Sequence, residues 1–151
     1  MKTLTFLITA IILSFMANAQ SKNLPKTELR TIDGNLISSS GIVKPNTTTI
    51  LVFWDANSSK CCDNLDSLQC IGDEILQNKG IKIITICVDC NGTWSSVKPV
   101  VMGRGWEFET FIDVNNDLKR AMNINQLPCT ILIDKNQNMI CSYEGYLSKN
   151  K

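Results

Sequence analysis

The chain contains no histidine. That excludes Cys–His and Ser–His nucleophilic catalysis, and it deprives zinc of its commonest nitrogen ligand. Charge of one sign is also lacking: 15 basic residues stand against 14 acidic ones. No run of Lys or Arg occurs, so there is no electrostatic case for binding nucleic acid or an anionic membrane. No internal repeat or second domain is visible, and 151 residues suffice for one domain with a substantial core. Long apolar runs are confined to one place, Leu4 to Met16, which is short for a membrane span and contains Thr and Ser.

That run follows Met1-Lys2 and precedes Ala17-Asn18-Ala19, an A-x-A cleavage pattern. The pattern predicts a signal peptide over residues 1–19 and a single mature domain over 20–151. No cysteine stands at the cleavage point to carry a lipid, so no membrane anchor is expected after cleavage. Losing Lys2 leaves the mature chain neutral. A periplasmic location is expected, with secretion second.

What the mature chain does have is thiols. Cysteines occur at 61, 62, 70, 87, 90, 129 and 141, an odd number in a chain expected to be exported. Exported cysteines usually pair, so at least one is unpaired or joined to another molecule. Cys70 and Cys141 read as small buried apolar residues.

The organising stretch is Leu51-Val52-Phe53-Trp54-Asp55-Ala56-Asn57-Ser58-Ser59-Lys60-Cys61-Cys62-Asp63-Asn64-Leu65. A β-branched and aromatic run ends at Trp54, small polar residues follow, and apolar positions then recur at Cys61, Leu65, Leu68 and Ile75. This predicts a buried strand over Thr48 to Trp54, a tight connection, and a helix from about Ser59 to Asn78. Ser58 and Ser59 are natural caps for it. A cysteine in the first turn meets unpaired N–H groups and the positive end of the helix dipole.

Ahead of it, Glu28 to Ile32 alternates, Asp33-Gly34 turns, and Asn35 to Ile37 returns as a hairpin. Ser38 to Gly41 allows one helical turn. After Gly80, Ile81 to Val88 is nearly all apolar or β-branched, a strand buried on both faces and parallel to the first. In such a sheet the functional edge lies beyond the carboxyl ends of the strands. Asp55 to Cys61 and Asp89 to Gly92 are therefore expected on one edge. Thr93 to Trp106 reads as a helix interrupted near Pro99 and stopped by Gly103. Glu107 to Ile112 follows as a strand, then a short helix through Met122. Leu127 to Asp134 leads into a strand, and a turn at Lys135 to Asn138 sends it back as a last strand, Met139 to Tyr143.

Phe53 to Leu65 resembles the active-site segment of thioredoxin-like proteins, specifically exported thiol–disulfide oxidoreductases of the TlpA/redoxin kind. There, Phe-Trp-Ala-Thr-Trp-Cys-x-x-Cys closes a strand and opens the long helix. The second family cysteine falls on Cys61, while the first, the nucleophile, falls on Ser58. Asn57 takes the tryptophan position and Lys60 the proline position. Val97-Lys98-Pro99, Phe111-Ile112-Asp113 and Lys119-Arg120-Ala121-Met122 resemble the Bacteroidetes-type members, and the likeness spans about Leu29 to Tyr146. It implies an α/β thioredoxin-like fold with a central mixed sheet flanked by helices, the C-terminal helix missing. It also implies a cis-proline at Pro128 facing the active-site segment.

Dithiol exchange needs an attacking thiolate and a second thiol to release the mixed disulfide. A serine hydroxyl at position 58 does not attack disulfides, so exchange would run through Cys61 on protein disulfides or small thiols, supplied by a membrane or periplasmic electron donor. Cys62, about 100° further round the helix, is expected to be the more exposed of the two. Cys129, after the cis-proline that the resemblance implies, offers a nonlocal pair with Cys61. Cys87-Val88-Asp89-Cys90 is formally Cys-x-x-Cys but closes a strand instead of opening a helix. Zinc on Cys61, Cys62, Cys87 and Cys90 suits tetrahedral geometry poorly, and no cofactor is called for. Ser58-Ser59-Lys60-Cys61 also has the Thr/Ser-x-x-Cys shape of one-Cys peroxiredoxins, without their preceding proline. The rival from another class is a non-catalytic module whose cis-proline groove holds extended client segments.

Overall fold

The computed structural model describes residues 23–76, 80–88 and 94–145. The expected signal peptide, Asp89 to Gly92 with Cys90, and the tail where the family's last helix would lie fall outside them. Among the described residues seven strands form one sheet: β1 (Glu28–Thr31), β2 (Leu36–Ser38), β3 (Thr48–Trp54), β4 (Ile81–Val88), β5 (Glu109–Asp113), β6 (Cys129–Ile133) and β7 (Met139–Glu144). Their order is β2-β1-β5-β4-β3-β6-β7. β3, β4 and β5 run parallel and the flanking strands antiparallel, so the sheet is mixed. Among the described residues three α-helices accompany it: α1 (Ser59–Leu76), α2 (Val97–Arg104) and α3 (Asp117–Ala121).

Successive strand residues point to opposite sides, and each face carries its own core. Leu51 and Phe53 of β3 join Ile84 and Ile86 of β4, Phe111 of β5, Cys129 and Ile131 of β6, and Leu118 of α3. Val52 and Trp54 point the other way, under Cys61, Cys62, Leu65 and Leu68 of α1 and Val97 and Val101 of α2. Each fully buried large apolar side chain is worth about 1.5–3 kcal/mol. The two-sided apolar runs of β3 and β4 therefore commit them to the sheet centre. On the α1 side, a buried Thr85–Thr110 hydroxyl pair at 2.9 Å joins β4 to β5.

The hairpin turns at Asp33-Gly34, where Gly34 has φ +91° and sits close under the Trp94 ring. Ser39–Gly41 forms the expected single turn, as a 3-10 helix. Two expectations fail between β4 and β5. Pro99 does not interrupt the helix. A 3-10 turn at Trp94–Ser96 comes first, and Pro99 is the third residue of α2, where its missing N–H would have had no intrahelical acceptor. Gly103 does not stop the helix either. Gly105, at φ 68°, does: its N–H donates to the Met102 carbonyl at 3.2 Å, and Trp106 N–H to the Val101 carbonyl at 3.3 Å.

β5 starts at Glu109, later than expected, because Trp106 and Phe108 pack into the α1-side core first. The Glu107 amide donates to Gln69 Oε1 of α1 instead of joining a strand ladder. Among the described residues no helix follows β7, whose residues after Met139 are exposed.

Candidate active site

The end of β3 is tied into a tight turn. Asn57 N–H donates to Asp55 Oδ1 at 2.9 Å, and Ser58 N–H to the Asp55 carbonyl at 3.1 Å. Ser58 then caps α1: its Oγ accepts the Cys61 amide at 3.3 Å, and its carbonyl accepts the Cys62 amide at 3.0 Å. Cys61 thus stands three residues after the cap, in the first turn.

The Leu127–Pro128 peptide bond is cis. β6 runs antiparallel to β3 with Phe53 opposite Cys129. Continuing that register carries Pro128 alongside Trp54, at the start of the active-site turn. Leu127 packs against both cores. On the other side, β4 lies parallel with Cys87 opposite Trp54 and ends at Val88. Three strand ends therefore meet around one turn, as the rule for parallel sheets predicts.

The thiols differ sharply in setting. Cys61 is 1 % exposed and Cys62 4 %, so Cys62 is not the open neighbour that its place on the helix suggested. It is buried in one core with Val97 and Val101 of α2 and with Trp106 and Phe108. Arg104 of α2 forms an ion pair with Asp66 at 2.5 Å and stacks 5.8 Å from the Trp106 ring, whose Nε1–H donates to Asp66 at 2.8 Å. Trp106 in turn packs edge-on to Trp54 at 5.2 Å. The Cys62 sulfur lies 3.9 Å from the Ala56 carbonyl. Burial pushes the Cys62 thiol above its ordinary range, opposed by the positive charge of Arg104 and reinforced by Asp66 and Asp63.

Cys129 is 1 % exposed, and burial pushes it up to about 11, with help from the Glu144 carboxylate. It belongs to the core on the far side of the sheet from Cys61. The structure does not bring these two thiols together, because the residue opposite Phe53 must share the face of Phe53. Cys70 and Cys141 are exposed, contrary to the expectation of burial.

Sequence reasoning undervalued Cys87. It is buried in the same core as Cys61, Cys62 and Trp54. Alternation along β4 already placed it on one face with Ile83 and Thr85, but nothing in the sequence said which face α1 covers. No group of three or more metal-ligating side chains able to hold an ion occurs among the described residues.

Fold and site together define a thioredoxin-like α/β protein of the redoxin type. The AhpC/TSA family pattern matches residues 21–141, and the chain belongs to that family. Among solved structures, a thioredoxin-like protein from Porphyromonas gingivalis is 29 % identical, covering 82 % of this chain and 80 % of its own with a TM-score of 0.71. A thiol-disulfide oxidoreductase from Bacteroides fragilis is 18 % identical with TM-score 0.68, covering 82 % and 92 %. A secreted disulfide oxidoreductase of Mycobacterium tuberculosis is 13 % identical with TM-score 0.64, covering 79 % and 83 %. No functionally curated protein matches the sequence.

Proposed function

We propose that the protein is an exported thiol–disulfide oxidoreductase of the TlpA/redoxin kind in which Ser58 stands where the attacking thiol would be. Exchange then runs through Cys61. The observation that carries this reading is the first turn of α1: Ser58 Oγ accepts the Cys61 amide at 3.3 Å, beside the cis Leu127–Pro128 bond. In exchange, the Cys61 sulfur would attack a protein disulfide or a small disulfide, forming a mixed disulfide and releasing one thiol. Pro128 would shape the groove for the substrate chain. Export is supported by the leader-like first 19 residues and by the secreted Mycobacterium tuberculosis neighbour. Electrons would come from a membrane or periplasmic donor.

One observation favours a second reading. Cys61 is 1 % exposed, which suits a non-catalytic module that keeps the groove to hold extended client segments.

Ser58→Cys discriminates between the two. Insulin reduction by the purified variant, at least tenfold above the native protein, is expected if the scaffold is competent and serine is what limits it. An inert, folded variant would transfer the weight to the binding module.

A further inference from the structure

We propose that the cleft between the β1–β2 hairpin and α2 binds a free α-amino acid with an apolar or aromatic side chain. This goes beyond the reading built on Ser58 and Cys61, since no residue of the cleft belongs to that site.

The cleft holds about 530 Å³, a size common among small-molecule sites. Its apolar walls are Ile32 of the hairpin, Trp94 of the 3-10 turn, and Pro99 and Met102 of α2. Met102 is 67 % exposed, an unbranched and polarizable side chain able to close over an apolar body. Trp94 is fixed in place from the hairpin side. Arg30 Cζ lies 5.4 Å from the centre of its ring, and Arg30 Nη1 donates to the Gly34 carbonyl at 3.0 Å. A Cβ at Gly34 would come within 3.2 Å of the ring, so glycine there lets the indole lie against the turn. A wall ordered in advance spares the ligand the entropy of ordering it.

The polar groups set the charges of the ligand. Lys98 Nζ of α2 donates to Asp33 Oδ1 of the hairpin at 2.7 Å, and both residues line the cleft. The cleft thus presents one cation and one anion side by side. An α-amino acid carries its own ammonium and carboxylate on one carbon, so it can meet the pair head to tail, carboxylate on Lys98 and ammonium on Asp33. A purely anionic ligand would meet the repulsion of Asp33, and a purely cationic one that of Lys98. An extended peptide holds its charged termini too far apart to reach both. The Lys98 and Asp33 side chains are 48 % and 63 % exposed, so water screens their pair and it yields readily to a ligand. The ligand's side chain then lies among Trp94, Pro99 and Met102, where burial of apolar surface favours an apolar body over a polar one.

The test is a titration of the native, isotope-labelled protein with L-phenylalanine, followed by NMR. Saturable shifts are expected at the Trp94 indole N–H and at the amides of Asp33, Lys98 and Met102, with the buried Trp54 indole unmoved. Phenylalaninamide and N-acetylphenylalanine each lack one charge, and serine lacks the apolar body; each should bind about tenfold more weakly. Lys98→Gln and Asp33→Asn should each weaken phenylalanine binding to that level. Because the native protein is titrated first, a variant that fails to fold does not remove the test. No saturable shift, shifts confined to other parts of the fold, equal binding of a singly charged analogue, tighter binding of an extended tripeptide, or undiminished binding by both folded variants would each overturn the proposal.

Discussion

Phe53 and Cys129 stand opposite each other across the antiparallel β3–β6 pair. That single register places the Cys129 thiol on the face away from α1, where burial holds it at about 11. At pH 8 only on the order of one molecule in a thousand would then carry the Cys129 thiolate. Iodoacetamide should therefore label Cys129 far more slowly than the exposed Cys70 and Cys141. The Cys129 rate should keep climbing beyond pH 10, and Glu144→Gln should shift that profile to lower pH. Rapid labelling of Cys129 at pH 8 in the folded protein would contradict the placement.

The cap on α1 has a measurable worth. Ser58→Ala removes the Oγ that accepts the Cys61 amide. The expected loss is about 1 kcal/mol of stability, read by urea unfolding. Ser58→Asp should restore it, since an aspartate caps equally well and adds favourable charge at the helix start.

The hydroxyl pair between β4 and β5 should behave asymmetrically. Thr110 Oγ1 donates to the Phe108 carbonyl at 3.2 Å and accepts from Thr85 at 2.9 Å. Thr110→Val strands the buried Thr85 donor and should cost about 1–3 kcal/mol. Thr85→Val leaves Thr110 bonded to Phe108 and should cost about 1 kcal/mol. The double substitution should cost less than the sum of the two, a coupling that chemical denaturation of all four proteins would reveal.

Two aspartates should give opposite pH slopes. Burial raises Asp113 above the usual carboxylate range despite the Lys119 and Leu118 amides that it accepts at 2.8 and 3.2 Å. A raised folded value means that its contribution is fully present below the unfolded pKa of about 4 and is lost as pH rises through the folded one. Asp134 is lowered by the Asn138 and Asn136 amides in the β6–β7 turn. Its contribution is present above the unfolded pKa and lost as pH falls through the folded one. Unfolding from pH 3 to pH 8 should therefore show Asp113→Asn gaining relative to the native protein as pH rises. Asp134→Asn should lose ground over the same range.

Much of the architecture was legible in local pattern. The boundaries of β3 and β4 followed from β-branched runs closed by polar residues, and the start of α1 from Ser58 and Ser59. The Asp33-Gly34 hairpin followed from turn chemistry. Pro99 and Gly103 misled because a proline early in a helix and a glycine within it read locally as breaks. The actual stop, Gly105, depended on a left-handed residue whose cap bonds reach back to Met102 and Val101. Cys70 and Cys141 misled because composition ranks cysteine as a buried type without knowing which helix face or strand edge it occupies.

The sequence by itself determined the elements, the parallel centre of the sheet, the absence of imidazole chemistry and the serine at the head of α1, because each rests on residue type and short spacing. Only the tertiary structure decided which thiols share a space. Strand alternation gives two faces but does not say which one a helix covers, and registers such as Phe53–Cys129 and Trp54–Cys87 join residues far apart in the chain. Packing α1 and α2 over the Trp54 face gathered Cys61, Cys62 and Cys87 into one core and left Cys129 in the other.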